Sequence, residues 1–235
     1  MEPCFSYRRA SPIHRDHNTM NHPAPPPSER SRVRRAEDRG HYDRDTIHAI
    51  VDAAYLCHVS FVDQRGPVCL PTVVWRVDDH VLIHGSNGSQ MMKSLGQGTP
   101  ACLAITHLDG LVMARSAFSH SMNFRSVVVH GAFEPVPEAD KTEVLHRLMD
   151  HLAPGRRHEA RAPDRNELAA TTVLRLPLFE AAAKIRSWGP KDKEDDLDWP
   201  VWAGVLPLRQ NRLAPIPEAG QTDQVPAYVR DWADR

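Results

Sequence analysis

From residue 58 onward the chain delivers short β-type runs one after another, parted by tight turn signals and by no crossover helix. Runs at 58–62, 68–76 and 81–84 are separated by Asp63-Gln64-Arg65-Gly66 and by Asp78-Asp79. Parallel strands need a connection of about a dozen residues, so this spacing restricts the chain to antiparallel pairing. Further strands are predicted at 101–107 and 111–114 around the turn Leu108-Asp109-Gly110, and at 125–134 with Gly131 as a bulge position. Extended chain follows over 171–186, and a last strand at 201–208.

Helices are few. Asp43 or Asp45 can cap one that runs to about residue 56, with Ile47, Ile50, Val51 and Ala54 on one face. Residues 89–95 form a short second helix, stopped by Gly96 and Gly98, and residues 138–152 an amphipathic third. This order predicts a mainly β fold, a small antiparallel barrel with helices filling its ends.

Before residue 41 the pattern changes. Residues 1–40 carry Pro23-Ala24-Pro25-Pro26-Pro27 and few large apolar side chains, which predicts a disordered N-terminal arm. The barrel domain is expected over 41–215 and a C-terminal tail over 216–235. Lys plus Arg number 29 against 30 Asp plus Glu, so no net field attracts nucleic acid. No run approaches the roughly 18 apolar residues of a membrane span, and the N-terminus lacks the apolar core of a signal peptide. The default expectation is a cytoplasmic protein without a nucleic-acid or membrane partner. Cys4, Cys57, Cys69 and Cys102 show no Cys-x-x-Cys spacing, which speaks against a structural zinc site or a disulfide framework.

Three segments carry chemistry. In the first, His84-Gly85-Ser86-Asn87-Gly88-Ser89 ends a strand and opens a helix, with Lys93 one turn in, an arrangement suited to a phosphate. Lys93 gains weight because the chain has only five lysines. In the second, the polar and aromatic stretch from Ala114 to Ser126 joins two strands, and Arg125 can pin an anion with its planar fork. Ser119, His120 and Ser121 lie there too, but no Gly-x-Ser-x-Gly elbow accompanies them. In the third, Lys184 and Arg186 share one face of a strand that ends at Trp188, on which a planar ligand can stack. The 14 histidines are scattered without a His-x-x-x-His pair on a helix, and haem ligation by one of them stays open.

The stretches His84-Gly85-Ser86, Asp109 through Val127 (DGLVMARSAFSHSMNFRSV) and Val201-Trp202-Ala203-Gly204-Val205-Leu206-Pro207 together resemble the pyridoxamine 5′-phosphate oxidase-related flavin-nucleotide-binding proteins, in order over about residues 37–215. The resemblance implies a split β-barrel of antiparallel Greek-key type that binds FMN, as a homodimer with the flavin in a groove between subunits. By matching segments, Pro71, Thr72, Val73 and Val74 would run along the flavin ring. His84, Gly85, Ser86 and Ser89 would approach the ribityl chain and phosphate, and Lys93 and Arg125 would supply charge. Ser126 would follow on the same strand, and Lys184, Arg186 and Trp188 would complete the site from the partner chain. Gln90 stands where relatives often carry an Arg, and the C-terminal Arg-x-His of true pyridoxamine phosphate oxidases is absent.

The implied activity is therefore an FMN-dependent oxidoreductase acting on a small planar or nitro-aromatic substrate, not vitamin B6 oxidation. The flavin would carry the hydride chemistry, so no side chain is assigned as catalytic. A non-catalytic flavin or haem binder, and a deazaflavin-dependent reductase, are the alternatives on the same barrel.

Overall fold

The computed structural model describes residues 24–220 and 225–234 of the 235-residue chain. In chain order the elements are β1 (Gly40–His41), α1 (Arg44–Asp52), β2 (Leu56–Asp63), β3 (Gly66–Val73), β4 (Trp75–Val77), β5 (His80–Ser86) and α2 (Gln90–Gly96). Then follow β6 (Pro100–Met113), β7 (Ser121–Ala132), β8 (Glu134–Pro135), α3 (Lys141–Leu152), α4 (Arg165–Ala170), β9 (Thr171–Pro177), β10 (Ala181–Arg186), β11 (Gly204–Pro207) and α5 (Ala227–Arg230).

All pairing is antiparallel, in two sheets: β1-β10-β7-β6-β2-β3 with β11 added to β6, and β4-β5-β9-β8. The sheets share strands that bend from one into the other. β3 becomes β4 across Val74, β7 becomes β8 across Phe133, and β9 becomes β10 across the single turn Leu178–Glu180. Following the ladders and two of these bends, β2-β3/β4-β5-β9/β10-β7-β6 leads back to β2. The expected antiparallel architecture is present as two sheets closed by corners, not as one unbroken wall. Val74, Phe133 and Leu178 are all buried, so each corner plugs the core with a side chain where strand alternation is interrupted.

The core lies between the sheets. Val59, Leu103, Val127, Ile83 and Leu176 pack there, capped by Ile47, Ile50 and Val51 of α1 and by Met92 and Leu95 of α2. A second cluster forms on the far face of the small sheet, where Trp75, Leu82 and Val173 meet Leu148 and Val144 of α3. This explains the unbroken run Val81-Leu82-Ile83: alternate residues of β5 face the two clusters, so both faces are dry.

Several local expectations change. The helix from Asp43 ends at Asp52, and Leu56 opens β2 instead. The strand expected over 68–76 divides at Val74 between the two sheets. The two strands expected around Leu108-Asp109-Gly110 are one strand, β6, with a register shift between Leu108 and Gly110. An Asp-Gly pair is a hairpin signal in isolation. Here β7 pairs with both halves of β6, so the extra residue becomes a bulge. Gly131 is no bulge: its register is regular, and a Cβ there would lie 2.9 Å from Leu176 Cδ1. Pro71 is tolerated within β3 because that strand is an edge of its sheet. α4 was not expected, although Asp164 and Glu167 form a capping box legible in the sequence.

Of the arm expected over 1–40, residues 1–23 lie outside the described residues. Residues 24–40 run against the body: Ser28 Oγ donates to Glu180 at 2.6 Å, Val33 N donates to Tyr42 Oη at 2.8 Å, and Lys184 Nζ donates to Arg35 O at 2.9 Å. Near the other end, Arg212 donates to Tyr55 Oη at 2.6 Å and lies 4.5 Å from the ring centroid of Trp232. No helix among the described residues is long and apolar enough to cross a membrane.

Candidate functional site

The strand-to-helix turn after β5 is built largely from its own hydrogen bonds. Ser89 caps α2 by accepting from Met92 N at 3.4 Å, and Ser86 Oγ accepts from Gly88 N at 3.2 Å. Asn87 donates to Ala169 O at 2.6 Å and accepts from Thr172 Oγ1 at 2.7 Å, which clamps the turn to α4 and β9. Both serine hydroxyls keep a proton to donate. Gly85 is required by packing, since a Cβ would sit 2.9 Å from Met92 Cγ. Lys93 is exposed and its ammonium has no partner among the described residues. His84 faces the other way, edge-on to Trp75 with ring centroids 5.8 Å apart. Its Nδ1 is buried without a partner among the described residues, and burial lowers its pKa, which favours the neutral ring.

Arg125 and Ser126 point to opposite faces of β7. Arg125 sits beside His107 on the inner side, where Nε and Nη2 each donate to Asp109 at 2.9 Å. Its guanidinium, expected to be free for a phosphate, is a fork on a carboxylate that raises its pKa further. The pair lines an open cleft of about 1280 Å³ with Tyr55, His107, His151, Arg212 and Trp232. His107 Nε2 meets Ile50 O at 3.0 Å and His151 Nε2 meets Ala54 O at 2.8 Å, so each imidazole donates to a carbonyl near the end of α1. The sequence reading missed this cleft. Asp109, its organising anion, sits in the Asp-Gly pair taken for a turn.

The outer face of β7 carries Ser126, paired across the sheet with Lys184 on β10 and Thr106 on β6. Ser126 Oγ donates to Lys184 O at 3.4 Å. Arg186, on the same face and only 3% exposed, donates to Asn123 Oδ1, to Trp188 O at 2.7 Å and to Gly189 O at 3.0 Å. No carboxylate among the described residues pairs with it, and burial followed by the nearby Arg39 charge lowers its pKa. Pro71 lies opposite His58 and Thr72 opposite Cys57, so of the β3 residues expected along the ring Pro71 and Val73 share the outer face with Ser126 and Thr72 does not. Val74 is a buried corner residue.

The structure thus gathers the expected residues into two groups. Ser126, Lys184, Arg186 and Trp188 form one, and Ser86, Ser89 and Lys93 the other. Between β7 and β3 lie β6 and β2, so Ser126 and Pro71 are three ladder steps apart, on the order of 14 Å along the sheet. Arg125 and His84 belong to neither group.

His120 differs from His107 and His151 in being exposed. Its Nδ1 lies 3.0 Å from Ser116 O, so Nδ1 carries the proton and Nε2 is bare on an exposed ring beside Phe118, which is 92% exposed. Among the described residues, no group of three or more His, Cys, Asp or Glu side chains is placed to hold a metal ion.

The model of the family described as pyridoxamine 5′-phosphate oxidase matches residues 43–185. No curated protein matches the chain. Among solved structures, the flavocytochrome Anf3 from Azotobacter vinelandii is 38% identical, with a TM-score of 0.83, over 88% of this chain and 97% of its own. The FAD and haem binding protein from Mycobacterium smegmatis is 35% identical, with a TM-score of 0.80, over 83% and 97%. A candidate 5-nitroimidazole antibiotic resistance protein from Bacteroides thetaiotaomicron shares the fold at 19% identity and a TM-score of 0.53, over 62% and 86%. With a family match over more than half of its length and two such relatives, this chain belongs to the pyridoxamine 5′-phosphate oxidase family.

Proposed function

We propose that this protein binds a flavin nucleotide on the outer face of its seven-stranded sheet and uses it as a redox protein. The observation that carries this reading is the likeness, over most of both chains, to a flavocytochrome and to a protein that binds FAD and haem. The face suits a planar ring. Ala104, Thr106, Ser126 and Val128 present short side chains there, and the buried Trp188 indole N–H has no partner among the described residues. FMN and FAD both fit this reading. The substrate class we propose is a small planar acceptor, nitro-aromatics included.

The functional unit in this reading is a homodimer with the flavin between subunits. Met122, Leu111 and Leu206 lie side by side in register on β7, β6 and β11, and all three are exposed. A second copy would cover this apolar row.

A haem beside the flavin is the second reading, favoured by His120. A haem-ligating histidine commonly donates one ring N–H to a carbonyl and turns the other nitrogen to the iron. His120 shares that arrangement with His107 and His151, and of the three its ring is the exposed one.

The deciding experiment is the absorption spectrum of the purified protein, alone and after adding FMN, FAD or haemin. Flavin bands with fluorescence quenched on binding support the first reading, and a colourless protein that ignores both flavins overturns it. A Soret band that shifts in His120→Ala supports the second, and its absence removes it. Turnover of a nitro-aromatic with a nicotinamide donor tests the substrate class.

A further inference from the structure

Three cations converge on Trp188 with no anion among them. Arg39 Cζ, Arg186 Cζ and Lys191 Nζ lie 5.1, 5.2 and 5.0 Å from the centroid of its ring. A ring has two faces, so at least two of these charges share a side. Attraction of each cation to the indole is modest, and like charges this close oppose one another.

The usual neutralising partners are missing. None of the three forms an ion pair among the described residues. Asp192, next to Lys191, is committed to Arg115: it accepts from Arg115 N at 2.9 Å and from Nη1 at 3.0 Å. Arg186 spends its terminal nitrogens on Asn123 and two carbonyls, which are neutral acceptors. Among the described residues the Lys191 ammonium has no partner, and both Arg39 Nε and Trp188 Nε1 are buried donors without an acceptor. Buried donors are nearly always paired, so two orphans beside three unpaired charges mark the place of an absent acceptor.

We infer that the Trp188 cluster is a binding site for a phosphate-type oxyanion, held by Arg39, Lys191 and the indole N–H over the fixed charge of Arg186. The phosphate comes either from the flavin nucleotide itself, which rests on the function proposed above, or from a separate phosphorylated small molecule. Arg39 reaches the site from the segment before β1, which gives residues 24–40 a reason to be pinned to Glu180, Tyr42 and Lys184.

The test is to titrate the full-length protein with riboflavin, FMN, FAD and inorganic pyrophosphate, and to repeat this with Arg39→Gln/Lys191→Gln and with Lys191→Gln alone. Lys191 is exposed, so the single variant keeps the experiment readable if the double one folds poorly. The double variant should lose on the order of tenfold or more in affinity for the phosphate-bearing ligand, with riboflavin binding unchanged. Loss for FMN or FAD identifies the flavin's own phosphate, and loss for pyrophosphate alone identifies a separate anion. If the wild type ignores riboflavin, FMN and FAD yet binds pyrophosphate through these cations, the flavin reading fails and the anion site stands. The proposal is overturned if all four affinities survive the substitutions. It is equally overturned if only dimerisation is lost, since a carboxylate of the second copy would then be the missing anion.

Discussion

Arg125 and Asp109 face each other across β7 and β6 in a two-pronged pair, both hydrogen bonds 2.9 Å long. The bulge at Asp109 is what makes this contact, because it places a carboxylate within reach of the guanidinium. A residue that resembles a phosphate clamp in sequence is thereby tied to a neighbour of opposite charge.

Arg125→Ala should consequently act on stability more than on cofactor. Both side chains are more than a third hydrated in part, at 40% and 34% exposure, so the pair contributes about 1 kcal/mol at most. That corresponds to a fall of roughly 2–4 °C in Tm for a domain of this size. Flavin affinity should stay within about twofold. An unchanged Tm with flavin released would return Arg125 to the binding site.

Phe133 fills the corner where β7 passes into β8 and is fully enclosed. Its replacement by alanine opens a cavity between the sheets and should cost about 3–5 kcal/mol, measurable by urea denaturation. A loss below about 1 kcal/mol would mean that the corner closes without this plug.

Stability should decline as the medium is acidified through the histidine range. The folded-state pKa values of His84 and His130 are lowered, first of all by burial. The unfolded chain therefore binds more protons, and the stability these rings contribute is complete above about 6.5 and shrinks as pH falls below it. Denaturation midpoints of the wild type and His84→Phe between pH 8 and 5 check this. The variant should show the shallower slope, and parallel slopes would remove His84 as a contributor.

Thiol chemistry should separate the described cysteines. Cys57 is buried and its pKa is pushed up to about 12, while Cys69 is exposed. Iodoacetamide should modify Cys69 in the native protein and reach Cys57 only after unfolding, as read by peptide mass spectrometry. Native labelling of Cys57 at a comparable rate would show that β2 opens locally.

The sequence by itself determined the antiparallel class, the start of α1 at Asp43 or Asp45, of which the structure uses Asp43, and most strands, because these follow from alternation, turn residues and hydrogen bonds within a few positions. It also marked Ser126, Lys184, Arg186 and Trp188, since a period of two puts Lys184 and Arg186 on one face wherever the strand lies. Tertiary structure decided the rest. Whether Asp109-Gly110 turns or bulges depends on β7, which pairs with both halves of β6 and holds them in one line. Whether Arg125 meets a ligand or a carboxylate depends on that bulge. The approach of Arg39 to Trp188 spans almost the whole domain, and no local pattern encodes a contact between residues so distant in the chain. Local propensity acts over a turn or a strand, whereas a binding site needs charges from separate strands brought together by the packing of the core.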